Sequence, residues 1–367
     1  MRTGLSRRNF LTSLAETPKL EYGTLGRTGL KVTKVGFGCM ITSDPSVIAR
    51  AIDMGINYFD TARVYSRGNN ERMVGSAIKG KRDKLVLSSK VQSRTKEAAL
   101  ADLDTSLREL GTDYIDIWFL HNYRDPAEIK DELIEAQDIA KKQGKIRFPG
   151  ISTHANQAAI IRAAIEKNKF DVVLTSYNFA MDKGLEPSLD AAHKAGIGVV
   201  AMKVMAGGSR FQGFYPTDEA LRNKMAREGT MLAALKWVLR NPSIDTAIPS
   251  MVDTDQLEEN FRAMSSKYTA ADEKLLEARL EQIRPLYCRM CGKCEGQCRQ
   301  GLPVADVLRF LTYAEGYGQF AVGREYYREL PAAYAEARCD ACPGCTVNCP
   351  NGVRVAQRMR RAQEIFA

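Results

Sequence analysis

Cysteine is nearly absent from the first 287 residues, where only Cys39 occurs, and no uninterrupted apolar stretch reaches the roughly 18 residues that a membrane-spanning helix needs. The first absence excludes a disulfide framework through the main body, and the second excludes a membrane-spanning helix. A Gly-x-Gly-x-x-Gly turn is also missing after the first candidate strand, where only Gly36-Phe37-Gly38 stands. That disfavours an open, doubly wound dinucleotide fold. The formal net charge is +9, yet Lys and Arg are scattered and form no stripe with aromatics. A solvated surface is therefore expected, and no nucleic-acid partner.

Near the start, Ser6-Arg7-Arg8-Asn9-Phe10-Leu11 has the form of a twin-arginine export signature, which an apolar segment should follow. The chain instead continues Thr12-Ser13-Leu14-Ala15-Glu16-Thr17-Pro18, where an acid and a proline end any apolar run. Residues 1–19 are read as a leader-like stretch without its apolar part. A cytoplasmic location is expected, with twin-arginine export as the alternative if the native leader carries that part.

From Lys31 to Arg262, short β-branched runs alternate with longer segments of helical apolar spacing, about one pair per thirty residues. Eight candidate strands result: Val32 to Gly38, Tyr58 to Asp60, Leu85 to Lys90, Tyr114 to His121, Ile146 to Ser152, Val172 to Ser176, Gly198 to Met202 and Thr246 to Pro249. Eight such units predict an α/β fold, a (β/α)8 TIM barrel over residues 20–270. A helix from Ala271 to Ile283 then leads into residues rich in cysteine, so that 271–367 forms a small, mainly helical second unit.

Asp60, Tyr65, Lys90 and His121 fall at or just beyond the C-terminal ends of successive candidate strands, where barrel enzymes keep their active sites. Singly each has a bland explanation: Asp60 as a helix cap, Tyr65 as a surface loop residue, Lys90 as a strand end. Together they suit carbonyl reduction, which needs a proton donor at the carbonyl oxygen. A tyrosine can serve if its pKa near 10 is lowered, and a lysine ammonium held by an aspartate would lower it. His121, one of three histidines, would fix the direction of the carbonyl.

These residues lie within an ordered series of strings, LEYGTLGRTGLKVTKVGFG, GINYFDTARVYSRGNNERMVGSAIKG, KLVLSSKV, DYIDIWFLHN and KQGKIRFPGIS, through which the chain resembles the aldo-keto reductases over roughly Leu20 to Arg262. The resemblance implies the catalytic tetrad Asp60, Tyr65, Lys90 and His121. It also implies NADP(H) or NAD(H) bound extended across the C-terminal mouth without a glycine-rich turn. Cys39, Met40, Asp60, Ser152 and Thr153 would line its nicotinamide half, and Met202 stands where an aromatic ring often stacks. Lys203 would face the pyrophosphate, and Ser250, Met251, Asp253, Gln256, Glu259 and Asn260 would hold the adenosine end. Ser250 and Gln256 occupy the positions of the basic pair that neutralises a 2'-phosphate in NADPH-specific members. The implied substrate is an aldehyde, ketone, sugar or the corresponding alcohol, with the loop Met205 to Pro216, including Phe211, Phe214 and Tyr215, shaping its pocket.

The remaining eight cysteines form two runs, Cys288-x2-Cys291-x2-Cys294-x3-Cys298 and Cys339-x2-Cys342-x2-Cys345-x3-Cys349-Pro350. This spacing resembles bacterial ferredoxins with two 4Fe-4S clusters, in which the fourth cysteine of each run commonly serves the other cluster. Arg299 stands after Cys298 where that pattern usually has proline. Zinc is the rival reading, although four ligands would satisfy it and the run occurs twice. Cys39 stands outside both runs and, as a lone cysteine at a strand end, reads as a buried small residue rather than a ligand or nucleophile. The leading expectation is thus an oxidoreductase carrying two clusters. The alternatives are a redox-sensing regulatory subunit and an electron-transfer protein that docks a redox partner.

Overall fold

The computed structural model describes residues 19–181, 183–208 and 229–367. The leader-like segment other than Lys19, together with Phe211, Phe214 and Tyr215, lies outside the described residues. A short antiparallel hairpin, β1 (Tyr22–Thr24) and β2 (Lys31–Thr33), precedes eight parallel strands. These are β3 (Phe37–Gly38), β4 (Tyr58–Asp60), β5 (Val86–Val91), β6 (Ile115–Tyr123), β7 (Ile146–Thr153), β8 (Val172–Ser176), β9 (Gly198–Met202) and β10 (Thr246–Ala247), each paired with the next in sequence. Isolated parallel bridges Val35–Ala247 and Gly38–Ser250 join the first to the last and bring the ring almost to closure. The expected barrel is present.

One expected strand divides. The apolar run Val32 to Gly38 changes partners midway: Lys31–Thr33 pairs antiparallel with β1, and Phe37–Gly38 pairs parallel with β4. The hairpin then covers the N-terminal end of the barrel, where Leu25 is fully buried. The approach is close enough that a Cβ on Gly26, whose φ is +45°, would lie 2.3 Å from the Gly198 nitrogen. Only glycine fits there.

Period-two alternation along the strands decides what points inward. Tyr58, Val86, Ile117, Phe119, Val172, Leu174, Val200 and Met202 share one interior cluster with Leu25. Gly150 leaves room for Phe119, since a Cβ on it would stand 2.4 Å from that ring. The outer residues pack on α1 (Pro45–Asp53), α2 (Asn69–Ile78), α3 (Lys96–Leu110), α4 (Asp131–Lys142), α5 (Gln157–Lys167), α6 (Glu186–Lys194), α7 (Thr230–Leu239) and α8 (Thr254–Phe261). Asp44 accepts a hydrogen bond from the Ser46 N–H at the start of α1, with Pro45 as its first residue, as the sequence suggested.

After the barrel, α9 (Ala270–Ile283) starts on a capping box of Thr269 and Asp272 and packs on α7 through Ala233, Ala234 and Leu276. Four further helices follow: α10 (Val304–Glu315), α11 (Phe320–Arg328), α12 (Ala332–Glu336) and α13 (Val355–Phe366). Their own small core joins Leu308, Phe310, Leu311, Tyr313, Met359 and Phe366, with Met40 of the barrel and several cysteines packed against it. Arg358 is buried within this unit and pairs with Glu315. Among the described residues, no helix is long and apolar enough to cross a membrane.

On the outer face of β6, the fully buried Asp116 carboxylate accepts from Arg82 at 2.8 Å, from Arg147 at 2.7 Å and from the Leu87 N–H at 2.9 Å. Asp116→Ala leaves two arginines, both partly reachable by water, and one buried N–H without their acceptor. Denaturant titration should show a loss of about 2–3 kcal/mol. A loss under 0.5 kcal/mol would show that water replaces the carboxylate fully.

Candidate active site

The alternation that fills the barrel also carries polar residues to its C-terminal mouth. Tyr58–Asp60, Ser88–Lys90, Phe119–His121, Gly150–Ser152, Leu174–Ser176 and Val200–Met202 each step two residues along one interior face. The last member of each pair stands at the rim. Asp60, Lys90, His121, Ser152, Ser176 and Met202 therefore form a ring of buried side chains.

Lys90, 1% exposed, organises this ring. Its ammonium donates to Asp60 Oδ2 at 2.5 Å, to the Thr61 carbonyl at 2.6 Å and to Tyr65 Oη at 3.1 Å. Asp60 is held from its other side by the Ser88 hydroxyl at 2.7 Å. Burial pulls the lysine down and pushes the aspartate up, and each charge opposes the other's shift. Tyr65 comes from the turn after β4, where Ser66 and Arg67 adopt φ values of +49° and +52°. Arg67 pairs with Glu325 on α11.

Sequence reasoning expected Lys90 to lower the Tyr65 pKa. Here burial, followed by the charges of Asp60 and Tyr313, holds the phenol well above its usual range. The cause is visible in the pair: the Asp60 carboxylate balances the ammonium, so the phenol experiences desolvation and little net positive charge. Because Lys90 donates to the phenolic oxygen, the phenol proton remains free to be donated elsewhere.

His121 lies edge-on to Tyr65, with ring centroids 6.1 Å apart, and neither of its nitrogens has a hydrogen-bond partner among the described residues. Burial and then the charges of Lys90, Arg309, Arg94 and Lys203 keep it neutral well below the usual histidine range. His154, centroid 5.6 Å from His121, is depressed in the same way by burial and then by Lys203 and Arg309. Sequence reasoning passed over His154, although it directly follows Thr153. It passed over Ser176 as well, a buried hydroxyl without a partner among the described residues, which counting by twos along β8 would have found.

Of the residues expected at a nucleotide, Cys39 is fully buried with its thiol pushed upward by desolvation, and Met40 turns toward the C-terminal core. Ser152 accepts from the Asn122 N–H at 3.1 Å, and the Thr153 hydroxyl donates to the Ala155 carbonyl at 2.6 Å. Met202 lines the interior. The open Ser176 hydroxyl, with the Ser152 hydroxyl on the neighbouring strand end, suits the carboxamide of a nicotinamide, so the inner half of the site fits that ring. At the outer half, Asp253 caps α8 by accepting from the Gln256 N–H at 2.8 Å and from its side chain at 3.1 Å. Met251 is fully buried and Asn260 nearly so, Glu259 is half-buried with its carboxyl raised by desolvation, and Ser250 bridges to Gly38. Lys203 does not point toward open space. With φ of +55°, it donates through Nζ to Tyr313 Oη of α10 at 3.0 Å.

The cysteines fall into two crossed groups. The charges of Cys294, Cys291 and Cys349 all act on Cys288, whose thiol burial pushes up to about 12. Those of Cys298, Cys345 and Cys342 act on Cys339, pushed up to about 11. Sulfur acceptors are met by the Met290 N–H at Cys288 (3.4 Å), Asn351 at Cys291 (3.4 Å) and Gln300 at Cys342 (3.6 Å). Among the described residues, no three or more His, Cys, Asp or Glu side chains converge tightly enough to hold a single metal ion.

Residues 43–281 match the model of the Aldo/keto reductase family. The chain is 28% identical over 309 residues to an L-galactose dehydrogenase of Arabidopsis thaliana, which covers 73% of this chain and 97% of that protein. It is also 28% identical over 297 residues to an uncharacterized oxidoreductase of Bacillus subtilis (strain 168), covering 70% and 96% respectively. In structure it is similar to an aldo-keto reductase of Bacillus halodurans in its holo form, with a TM-score of 0.61 at 26% identity, covering 75% of this chain and 99% of that one.

The two buried imidazoles set a pH dependence. Above about pH 6.5 neither the folded nor the unfolded chain protonates them. Below it the unfolded chain binds protons that the fold refuses, so stability falls by about 1.4 kcal/mol per pH unit for each ring. Denaturant midpoints between pH 6.5 and 5.5 should therefore decline less in His154→Gln than in the wild type, by about 1 kcal/mol over that unit. Equal declines would show that His154 takes up its proton in the fold.

Proposed function

The chain belongs to the Aldo/keto reductase family, and from that premise we propose that it is an oxidoreductase dependent on NADP(H) or NAD(H) that interconverts an aldehyde, ketone or sugar carbonyl with its alcohol. The observation that carries the reading is the buried chain from Asp60 through Lys90 to Tyr65, with His121 edge-on to the phenol. When bound, the nicotinamide supplies or accepts the hydride. Tyr65 supplies the proton: its O–H is free, burial keeps it protonated, and Lys90 stabilises the negative charge that develops once the proton leaves. His121, neutral and unpartnered, orients the substrate oxygen. Ser152, Thr153 and Met202, with Ser176 added, would hold the nicotinamide half, and Ser250, Asp253, Gln256, Glu259 and Asn260 the adenosine half. Similarity to a dehydrogenase named for L-galactose supports a small polyol or carbonyl substrate.

The same reading divides the chain at about residue 270 and gives residues 271–367 two 4Fe-4S clusters. One would be held by Cys288, Cys291, Cys294 and Cys349, the other by Cys298, Cys339, Cys342 and Cys345. Support comes from the crossed grouping of the thiols and from N–H donors aimed at the sulfurs of both groups. Zinc would be satisfied by four thiolates, whereas the four-cysteine run occurs twice. A nicotinamide moves two electrons together and a cube moves one, and this reading adds no flavin to bridge them. The clusters accordingly fold the C-terminal unit against the barrel mouth.

Tyr65→Phe keeps the aromatic body and removes only the proton donor. A loss of turnover on the order of 10²- to 10⁴-fold, with nucleotide affinity retained, is expected from steady-state kinetics and titration. Activity near that of the wild type would overturn the assignment. Anaerobically purified protein should contain about eight iron and eight acid-labile sulfide per chain. Zinc without sulfide, or half that iron content, would overturn the two-cluster reading.

A further inference from the structure

The helix α10 belongs to the cysteine-bearing unit, yet it sends side chains into the barrel mouth. Arg309 is 8% exposed; it donates through Nη1 to Asn122 Oδ1 at 3.2 Å, directly beside His121, and through Nη2 to Asp306 at 2.9 Å. One turn further along, Tyr313 accepts from Lys203 and stacks on Tyr317 at 5.8 Å. The charge of Arg309 acts on Tyr65, His121, His154, Lys203 and Tyr313, so it is felt across the barrel mouth.

The charges do not balance. Asp60 is taken by Lys90, and Asp306 is shared between Arg309 and Arg124, the latter at 2.5 Å. Lys203, part-buried, has a phenol as its hydrogen-bond partner and no ion pair among the described residues. Its charge and that of Arg309 are the two largest that bear on His154. Three buried donors open onto this region without a partner among the described residues: Arg309 Nε, His154 Nδ1 and the His121 ring. A buried excess of positive charge with open donors is costly unless an anion completes it.

We propose that Arg309 and Lys203, with His154, bind a carboxylate carried by the substrate close to its reacting carbonyl, so that the preferred substrates are oxo acids or hydroxy acids. This rests on the oxidoreductase reading for the carbonyl chemistry but not for the anion site itself. Arg309 keeps its Nε–H open, and each Nη, with one acceptor apiece in Asn122 and Asp306, keeps a second N–H beside it. The planar Arg309 fork can meet both oxygens of a carboxylate at once, and its place beside Asn122 and His121 sets that carboxylate next to the oxygen His121 orients. The C-terminal unit thereby supplies a specificity residue that the barrel lacks.

The full-length, cluster-loaded protein is assayed with pyruvate, glyoxylate and succinic semialdehyde, each against its methyl ester, and oxamate binding is measured by calorimetry. The acids should be preferred at least tenfold in kcat/KM. Arg309→Met and Lys203→Met should each lower that acid-to-ester ratio on the order of tenfold to a hundredfold and weaken oxamate comparably, while Arg309→Lys keeps part of both. The two substitutions lie on separate elements, so misfolding of one, seen as lost cluster absorbance, leaves the other to decide. Esters used as well as acids, or ratios unmoved in both variants, would overturn the carboxylate site and leave the oxidoreductase reading standing. Variants that weaken NADP+ but not oxamate would assign the charges to the nucleotide and also overturn it. If no acid, ester, neutral aldehyde or sugar is turned over, the oxidoreductase reading fails, and the oxamate titration alone decides the anion site.

Discussion

Placing an ammonium where water cannot reach it costs several kcal/mol unless each of its protons meets an acceptor, and Lys90 meets that condition with Asp60, the Thr61 carbonyl and Tyr65. The arrangement at the mouth follows from this. Asp60 can ionise in the interior because the ammonium faces it and the Ser88 hydroxyl supports it. The Tyr65 oxygen is fixed as an acceptor, so its proton must point away from the lysine. His121, receiving only positive fields, stays neutral and keeps both nitrogens open. Removing any one acceptor would disturb the others.

The C-terminal helices meet this centre through polar contacts at several rim segments. Arg67 reaches Glu325 from the turn after β4, Arg124 reaches Asp306 and Asn122 accepts from Arg309 near the end of β6, and Lys203 reaches Tyr313 after β9. These contacts are spread around the rim, so the unit covers the mouth as a roof supported from several sides. Its own core is small, and Met40 of the barrel is part of it. A unit of that size gains from whatever else ties its loops together, and that is the role the proposed clusters would give to the two cysteine runs.

Much of the barrel could be read in the sequence because strand residues alternate, and a two-residue period is a local signal. Asp60, Lys90 and His121 were legible for that reason, as the polar ends of apolar runs. The division of Val32 to Gly38 was not, because a continuous apolar run does not reveal that its two halves pair with different strands. Tyr313 and Arg309 were not legible, since nothing local shows that their neighbours are Lys203 and Asn122, more than a hundred residues away. The direction of the Tyr65 shift was misjudged for a related reason: a sequence names the charges near a phenol but not how completely one of them is cancelled by burial beside another.

The β1–β2 hairpin closes the barrel opposite the tetrad, with Leu25 seated among Tyr58, Ile117, Leu174 and Val200. Among the described residues the barrel is blocked at that end, so a molecule that reaches the tetrad comes and goes on the side of the mouth. Two ligands sharing one doorway cannot exchange independently: the one lying deeper is the first to arrive and the last to depart.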